Sequence, residues 1–181
     1  MLVNKDNPLF ETYTPPNLAS VNSNYKEGIL LEEKTLKNFQ KLQQEALKYN
    51  YHIDVMSGYR TYDYQNKIYN KLLHEKGFNY TLRSIAKPGC SEHQSGLAID
   101  YCIYKDDKCY IEHELEDLEE VKWITQNAHR FGFILRYPID KEEITKYNYE
   151  PWHLRYVGNI ATYIYNNNLT LEEYHDKKAN N

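Results

Sequence analysis

The chain has 181 residues, enough to close a core without staples, and its 22 Lys and Arg against 26 Asp and Glu leave a net charge of −4 scattered over the sequence. No basic face forms, which excludes the electrostatic footprint of a nucleic-acid binder. No apolar run approaches the ~20 residues of a membrane span, and the N-terminus lacks a basic-then-apolar signal region.

Three cysteines, Cys90, Cys102 and Cys109, are too few and odd in number for a disulfide framework. The chain therefore reads as cytoplasmic, provided no export segment preceded it. The 19 tyrosines exceed the norm; each buries a ring and keeps a polar tip, which suits packing or a wet cleft. A single domain over 1–181 is expected.

Residues 1–24 carry Pro8, Pro15 and Pro16 with little periodicity and read as an arm lying on the domain. From 32 to 50 the recurrence of Leu36, Phe39, Leu42, Ala46 and Leu47 predicts a packing helix. Residues 51–57 form a short strand with Ile53 and Val55 on one face, ended by Gly58-Tyr59-Arg60. Thr61 caps the next helix, whose stripe runs from Tyr62 to Leu73 and whose stop is Gly77. Arg60 thus falls at a strand-to-helix joint, where scaffolds often present functional groups.

Residues 79–95 have weak periodicity and contain Pro88-Gly89, which predicts a loop leading into a strand over 96–103. On that strand Leu97, Ile99, Tyr101 and Ile103 share one face and Ala98, Asp100 and Cys102 the other, so Asp100 has small neighbours. The acidic run 112–120 leads into a helix to about 130, stopped by Gly132, and its charges suit the positive helix end. A strand over 132–137, a hairpin-like loop over 138–148 and a strand over 152–157 follow. Two short helices finish the chain, the second capped by Thr170 with Glu173 in capping-box spacing. Terminal helices around short strands joined partly by hairpins predict an α+β fold with a small, mostly antiparallel sheet.

The chemistry concentrates in Ser91-Glu-His-Gln-Ser-Gly-Leu-Ala-Ile-Asp100 and Glu150-Pro-Trp-His153. His93, Asp100 and His153 form a set of two histidines and a carboxylate that could hold one tetrahedral Zn²⁺ with an open position, leaving Glu150 free as a general base. Taken alone, His93 with Asp100 reads equally as a buried hydrogen-bonded pair. The same set can hold Fe(II), but a spare carboxylate and the absence of a recognisable co-substrate site favour zinc. His52, His74, His113, His129 and His175 read as ordinary surface, strand-edge or helix histidines. Arg60 offers a charged fork suited to a carboxylate or oxyanion, against the commoner fate of a surface arginine. Gln65 and Ser91 are hydrogen-bonding candidates for the same cleft.

Ser57-Gly-Tyr-Arg60, the Ser91–Asp100 stretch and Glu150-Pro-Trp-His153-Leu-Arg-Tyr156 resemble the signatures of VanY-type D-alanyl-D-alanine carboxypeptidases, zinc peptidases of the lysostaphin and hedgehog fold group. Gly132-Phe-Ile-Leu-Arg-Tyr137 and the 171–176 tail are similar to the bifunctional VanXY dipeptidase/carboxypeptidases. The resemblance implies zinc on His93, Asp100 and His153, Glu150 as base and then acid, Arg60 at the scissile carbonyl, and Ser91 and Gln65 on substrate backbone or terminal carboxylate. It implies a D-Ala-D-Ala-terminated peptide as substrate and a role in glycopeptide resistance. Two alternatives stand beside it: an L,D-carboxypeptidase or wall endopeptidase, and a zinc-stabilised binding module without turnover, against which Glu150 argues.

Overall fold

The structure, a computed structural model, describes residues 1–106 and 108–179. It is an α+β arrangement built on a five-stranded antiparallel sheet. In chain order the elements are β1 (Leu18–Ser20), β2 (Leu30–Glu32), α1 (Glu33–Leu47), β3 (His52–Ser57), α2 (Tyr62–Lys76), α3 (Phe78–Ser84), β4 (Ala98–Lys105), β5 (Lys108–Tyr110), α4 (Glu119–Asn127), β6 (Phe133–Leu135), α5 (Glu142–Thr145), β7 (His153–Tyr156), α6 (Ala161–Asn166) and α7 (Leu171–Ala179).

β4 is the axis of the sheet. One edge pairs with β3; the other pairs first with β7, through Ala98, Ile99 and Asp100, and then with β5, through Ile103 to Lys105. β6 closes the order β3-β4-β7-β6. β1 and β2 form a separate antiparallel pair just before α1.

The period-two alternation of β4 sorts its side chains as the sequence implies. Ile99, Tyr101 and Ile103 join Leu36, Phe39, Leu42 and Ala46 of α1, Val121 and Ile124 of α4, Phe133 and Leu154 in the main core. The opposite face carries Asp100, His153 and Arg155, with a smaller apolar cluster of Ile134, Ala161, Ile164 and Leu171 beyond them.

The caps are formed by the residues whose chemistry demands them. Thr61 accepts from Tyr64 N at 3.1 Å to start α2, and Gly77 ends it at φ 76°. Thr170 and Glu173 close a reciprocal box, Thr170 N to Glu173 Oε2 at 2.7 Å and Glu173 N to Thr170 Oγ1 at 3.1 Å. Gly132, in the left-handed conformation, stops the turn that follows α4.

Two expectations need correction. The stretch 79–95 is not all loop: α3 follows α2 directly after Gly77, and Glu92–Ser95 forms a 3₁₀ turn. α3 buries only Thr81 and leaves Phe78 and Tyr80 exposed, so it shows no apolar stripe to read. The hairpin-like 138–148 segment contains the single helical turn α5, ended by Lys146 at φ 67°.

Candidate active site

Strand register assembles the site. Asp100 lies directly opposite His153 across the β4–β7 ladder and opposite Ser57 across β3–β4, so their side chains share one face. A register shift between Val55 and Ser57 lets β3 end beside Asp100 and turn into Gly58-Tyr59-Arg60. His93 arrives from the 3₁₀ turn, which Gly96 closes at φ 70°.

His93 Nε2 lies 3.2 Å from Asp100 Oδ2, and His153 Nδ1 lies 3.2 Å from Asp100 Oδ1. All three residues are buried, and their ligand atoms fall within 4.8 Å of one another. The His93 ring is fixed from behind: its Nδ1 donates to Gly58 O at 2.6 Å, which leaves Nε2 for the site. Gly58 has no freedom to grow, since a Cβ there would sit 2.4 Å from Leu30 O. The glycine therefore keeps the backbone close to β2 and its carbonyl on His93.

The electrostatics suit a cation. Burial and the Arg60 charge lower the His93 pKa, keeping the ring neutral as a ligand must be. Burial acts to raise the Asp100 carboxyl, but His93 and Arg60 outweigh it and hold the group well below the usual carboxylate range. For His153, burial opposes the charged ring and is outweighed by Asp100, Glu150 and Glu92, which raise its pKa well above the ordinary value. Asp100 Oδ1 is buried with no hydrogen-bond partner. A buried carboxylate with one orphaned oxygen and an imidazole nitrogen beside each of its two oxygens is costly unless something positive sits among them, and the N,N,O donor set fits Zn²⁺.

Glu150 approaches from the turn before β7, its Oε2 3.4 Å from His153 Nδ1, with 14% of the side chain exposed to the cleft. Burial raises its pKa above the ordinary carboxyl value. Arg60 reaches Asp100 Oδ2 at 2.5 Å and donates from Nε to Ser57 Oγ at 3.1 Å. Gln65 lines the cleft but its amide is committed, donating to Ala86 O at 2.8 Å and accepting from Arg60 Nη1 at 3.5 Å. Ser91, 4% exposed, lines the same wall. All seven residues singled out in the sequence thus meet around one cleft of about 880 Å³, walled by Tyr59, Tyr64, Tyr80, Tyr149, Trp152 and others.

Sequence reasoning missed the charge network beneath the floor. Glu92, Arg136 and Arg155 are at most 1% exposed, and Glu92 joins both arginines while Arg136 forks onto Glu172. The available signal was the alternation of β7, which puts Arg155 on the same face as His153. His113, read as a surface residue, stacks edge-on against Trp152 at the cleft wall, ring centroids 4.9 Å apart.

Comparison with known proteins identifies the family. The family model described as VanY, D-alanyl-D-alanine carboxypeptidase, matches residues 28–159. The bifunctional D-Ala-D-Ala dipeptidase and carboxypeptidase VanXYC of Enterococcus gallinarum is 39% identical over 98% of this chain and 94% of its own length. Other curated relatives are longer, the chain spanning 66% of one and 45% of another. Among solved structures, the LdcB LD-carboxypeptidase superposes with a TM-score of 0.90 at 38% identity, covering 97% of this chain and 85% of that one. A glutamate-to-alanine mutant of the vancomycin-resistance D,D-pentapeptidase VanY, in complex with Zn(II), gives 0.83 at 36% identity, covering 97% of each chain. The chain belongs to the VanY D-alanyl-D-alanine carboxypeptidase family.

Proposed function

We propose that the protein is a zinc-dependent D,D-peptidase that hydrolyses the terminal D-Ala-D-Ala bond of peptidoglycan-precursor stem peptides, in the setting of glycopeptide resistance. The observation that carries this reading is the convergence of His93, Asp100 and His153 on one point, with the raised carboxyl of Glu150 beside it. The zinc complex of the related VanY structure supports the choice of metal.

His93, Asp100 and His153 would hold the ion, which supplies Lewis-acid polarisation of the scissile carbonyl and acidifies the attacking water. Glu150 takes the proton from that water; a carboxyl with a pKa moved toward neutrality also returns it well, here to the leaving D-alanine amine. Arg60, fixed by Ser57 and Asp100, brings positive charge to the oxygen that becomes negative in the transition state. Gln65 ties Arg60 to the Ala86 carbonyl, and Ser91 offers a hydroxyl to substrate. No helix among the described residues is long and apolar enough to cross a membrane. A cytoplasmic precursor is the substrate pool this reading assigns.

A second reading has a specific observation behind it, the 0.90 TM-score with LdcB, an LD-carboxypeptidase. The deciding experiment measures D-alanine release from D-Ala-D-Ala, from a stem pentapeptide ending in D-Ala-D-Ala, and from the tetrapeptide whose terminal D-Ala follows an L centre, each with and without chelator. Chelator-sensitive release from the pentapeptide is expected. Release from the tetrapeptide alone would move the assignment to L,D-chemistry.

A further inference from the structure

Glu92 is next to one metal-site histidine in sequence and turns its side chain to the other. Its Oε1 accepts from Arg136 Nε at 2.8 Å and from Arg155 Nη1 at 2.7 Å. Arg136 is held in turn by Glu172 through two bonds of 2.8 and 2.6 Å. Guanidinium groups only donate, so this doubly engaged oxygen cannot rotate away, and the carboxylate has one orientation.

That orientation aims Oε2 at His153. Glu92 Oε2 and His153 Nε2 are both buried without a hydrogen-bond partner, and they lie 3.5 Å apart. Two orphaned polar atoms facing each other in a dry interior each forfeit their hydration, and closing the gap by a few tenths of an ångström gives both a charge-assisted bond. The bond requires the proton on Nε2, which leaves the lone pair of Nδ1, on the other side of the ring, facing Asp100 Oδ1.

We propose that Glu92 is a positioning residue that locks His153 with its proton on Nε2, so that Nδ1 is presented to the cation, and that Arg136 and Arg155 aim the Glu92 carboxylate through its other oxygen. The inference rests on the metal-site reading above. His93 receives the corresponding support from a backbone carbonyl, Gly58 O, so the two imidazoles are oriented by different devices on opposite sides of the site.

The test is zinc affinity, measured by competition with a chromogenic chelator, in wild type, Glu92→Gln and Glu172→Gln, with folding followed by circular dichroism. In Glu92→Gln the arginines retain the amide oxygen and the amide NH₂ faces His153, where a donor drives the ring proton to Nδ1 and blocks the ligand atom. The expected loss is about 10- to 100-fold in Glu92→Gln. Glu172→Gln removes the same charge from Arg136 without facing His153, and should stay close to wild type. Equal losses in both variants, or none in Glu92→Gln, overturn the proposal. Should Glu92→Gln fail to fold, ¹⁵N spectra of zinc-loaded wild type decide: a slowly exchanging His153 Nε2–H supports it, and an Nδ1–H overturns it. None of these readouts uses peptide turnover, so a wild type that binds zinc but releases no D-alanine would sink the substrate assignment alone. A wild type that binds no zinc would overturn both.

Discussion

The two faces of β4 are equally buried and differ only in what is buried there. Ile99, Tyr101 and Ile103 are 0% exposed against α1 and α4, while Asp100 on the other face is 4% exposed among His93, His153 and Arg60. Apolar burial on the first face is worth roughly 1.5–3 kcal/mol per large side chain. On the second, each polar group loses its hydration and recovers it only through a partner, and Asp100 Oδ1, His153 Nε2 and Glu92 Oε2 have no hydrogen-bond partner. Stability and chemistry are thus separated by the pleat of one strand, a separation of about one residue in sequence.

Substitutions on the two faces should therefore fail in different assays. The largest effect is expected from His153→Ala, which removes one of the three converging side chains proposed to hold the metal: bound zinc, measured by elemental analysis, and D-alanine release should both vanish while the far-UV spectrum persists. A variant retaining one zinc per chain would dissolve the distinction. Glu150→Gln should keep its zinc and lose turnover by about 10²–10⁴-fold, the usual contribution of a positioned acid–base group. Near-native turnover would remove Glu150 from its assigned role.

Much of this separation is legible in the sequence because it follows local rules. Alternation on β4, the Thr61 cap with its Gly77 stop, and the Thr170–Glu173 box each depend on residues within a few positions of one another. The meeting of His93, Asp100 and His153 was readable because His93 and Asp100 lie in one motif and His153 beside a spare glutamate. α3 was not, because it buries one residue and leaves its aromatics in solvent. Glu92 was not, because its direction is set by Arg136 and Arg155, 44 and 63 residues away, and no spacing rule says which way a glutamate in a 3₁₀ turn points. The role of Gly58 was hidden for the same reason: it is a glycine because Leu30 O passes where its Cβ would be.

On the apolar face, Phe39→Ala should cost about 3–5 kcal/mol of stability, since Phe39 is fully buried and meets Phe133 edge-to-face at 6.0 Å. Below its lowered melting temperature the variant should bind zinc as wild type does. A parallel fall in zinc affinity would mean that the core and the site are mechanically coupled across the sheet, against the separation drawn above.

The smallest expected effect bears on the same separation from the other direction. Burial raises the Glu150 carboxyl above its unfolded value of about 4.3, so the folded state holds that proton more tightly than the unfolded chain does. Its contribution to stability is therefore fully present below the unfolded pKa and is lost as pH rises through the folded one; above that pH the ionised group is a liability. Metal-free Glu150→Gln, which cannot ionise, should accordingly melt higher than metal-free wild type at pH 7–8, with the gap closing below about pH 4. A pH-independent gap in melting temperature would assign the gain to packing, and would leave the active face no more costly to fold than the apolar one.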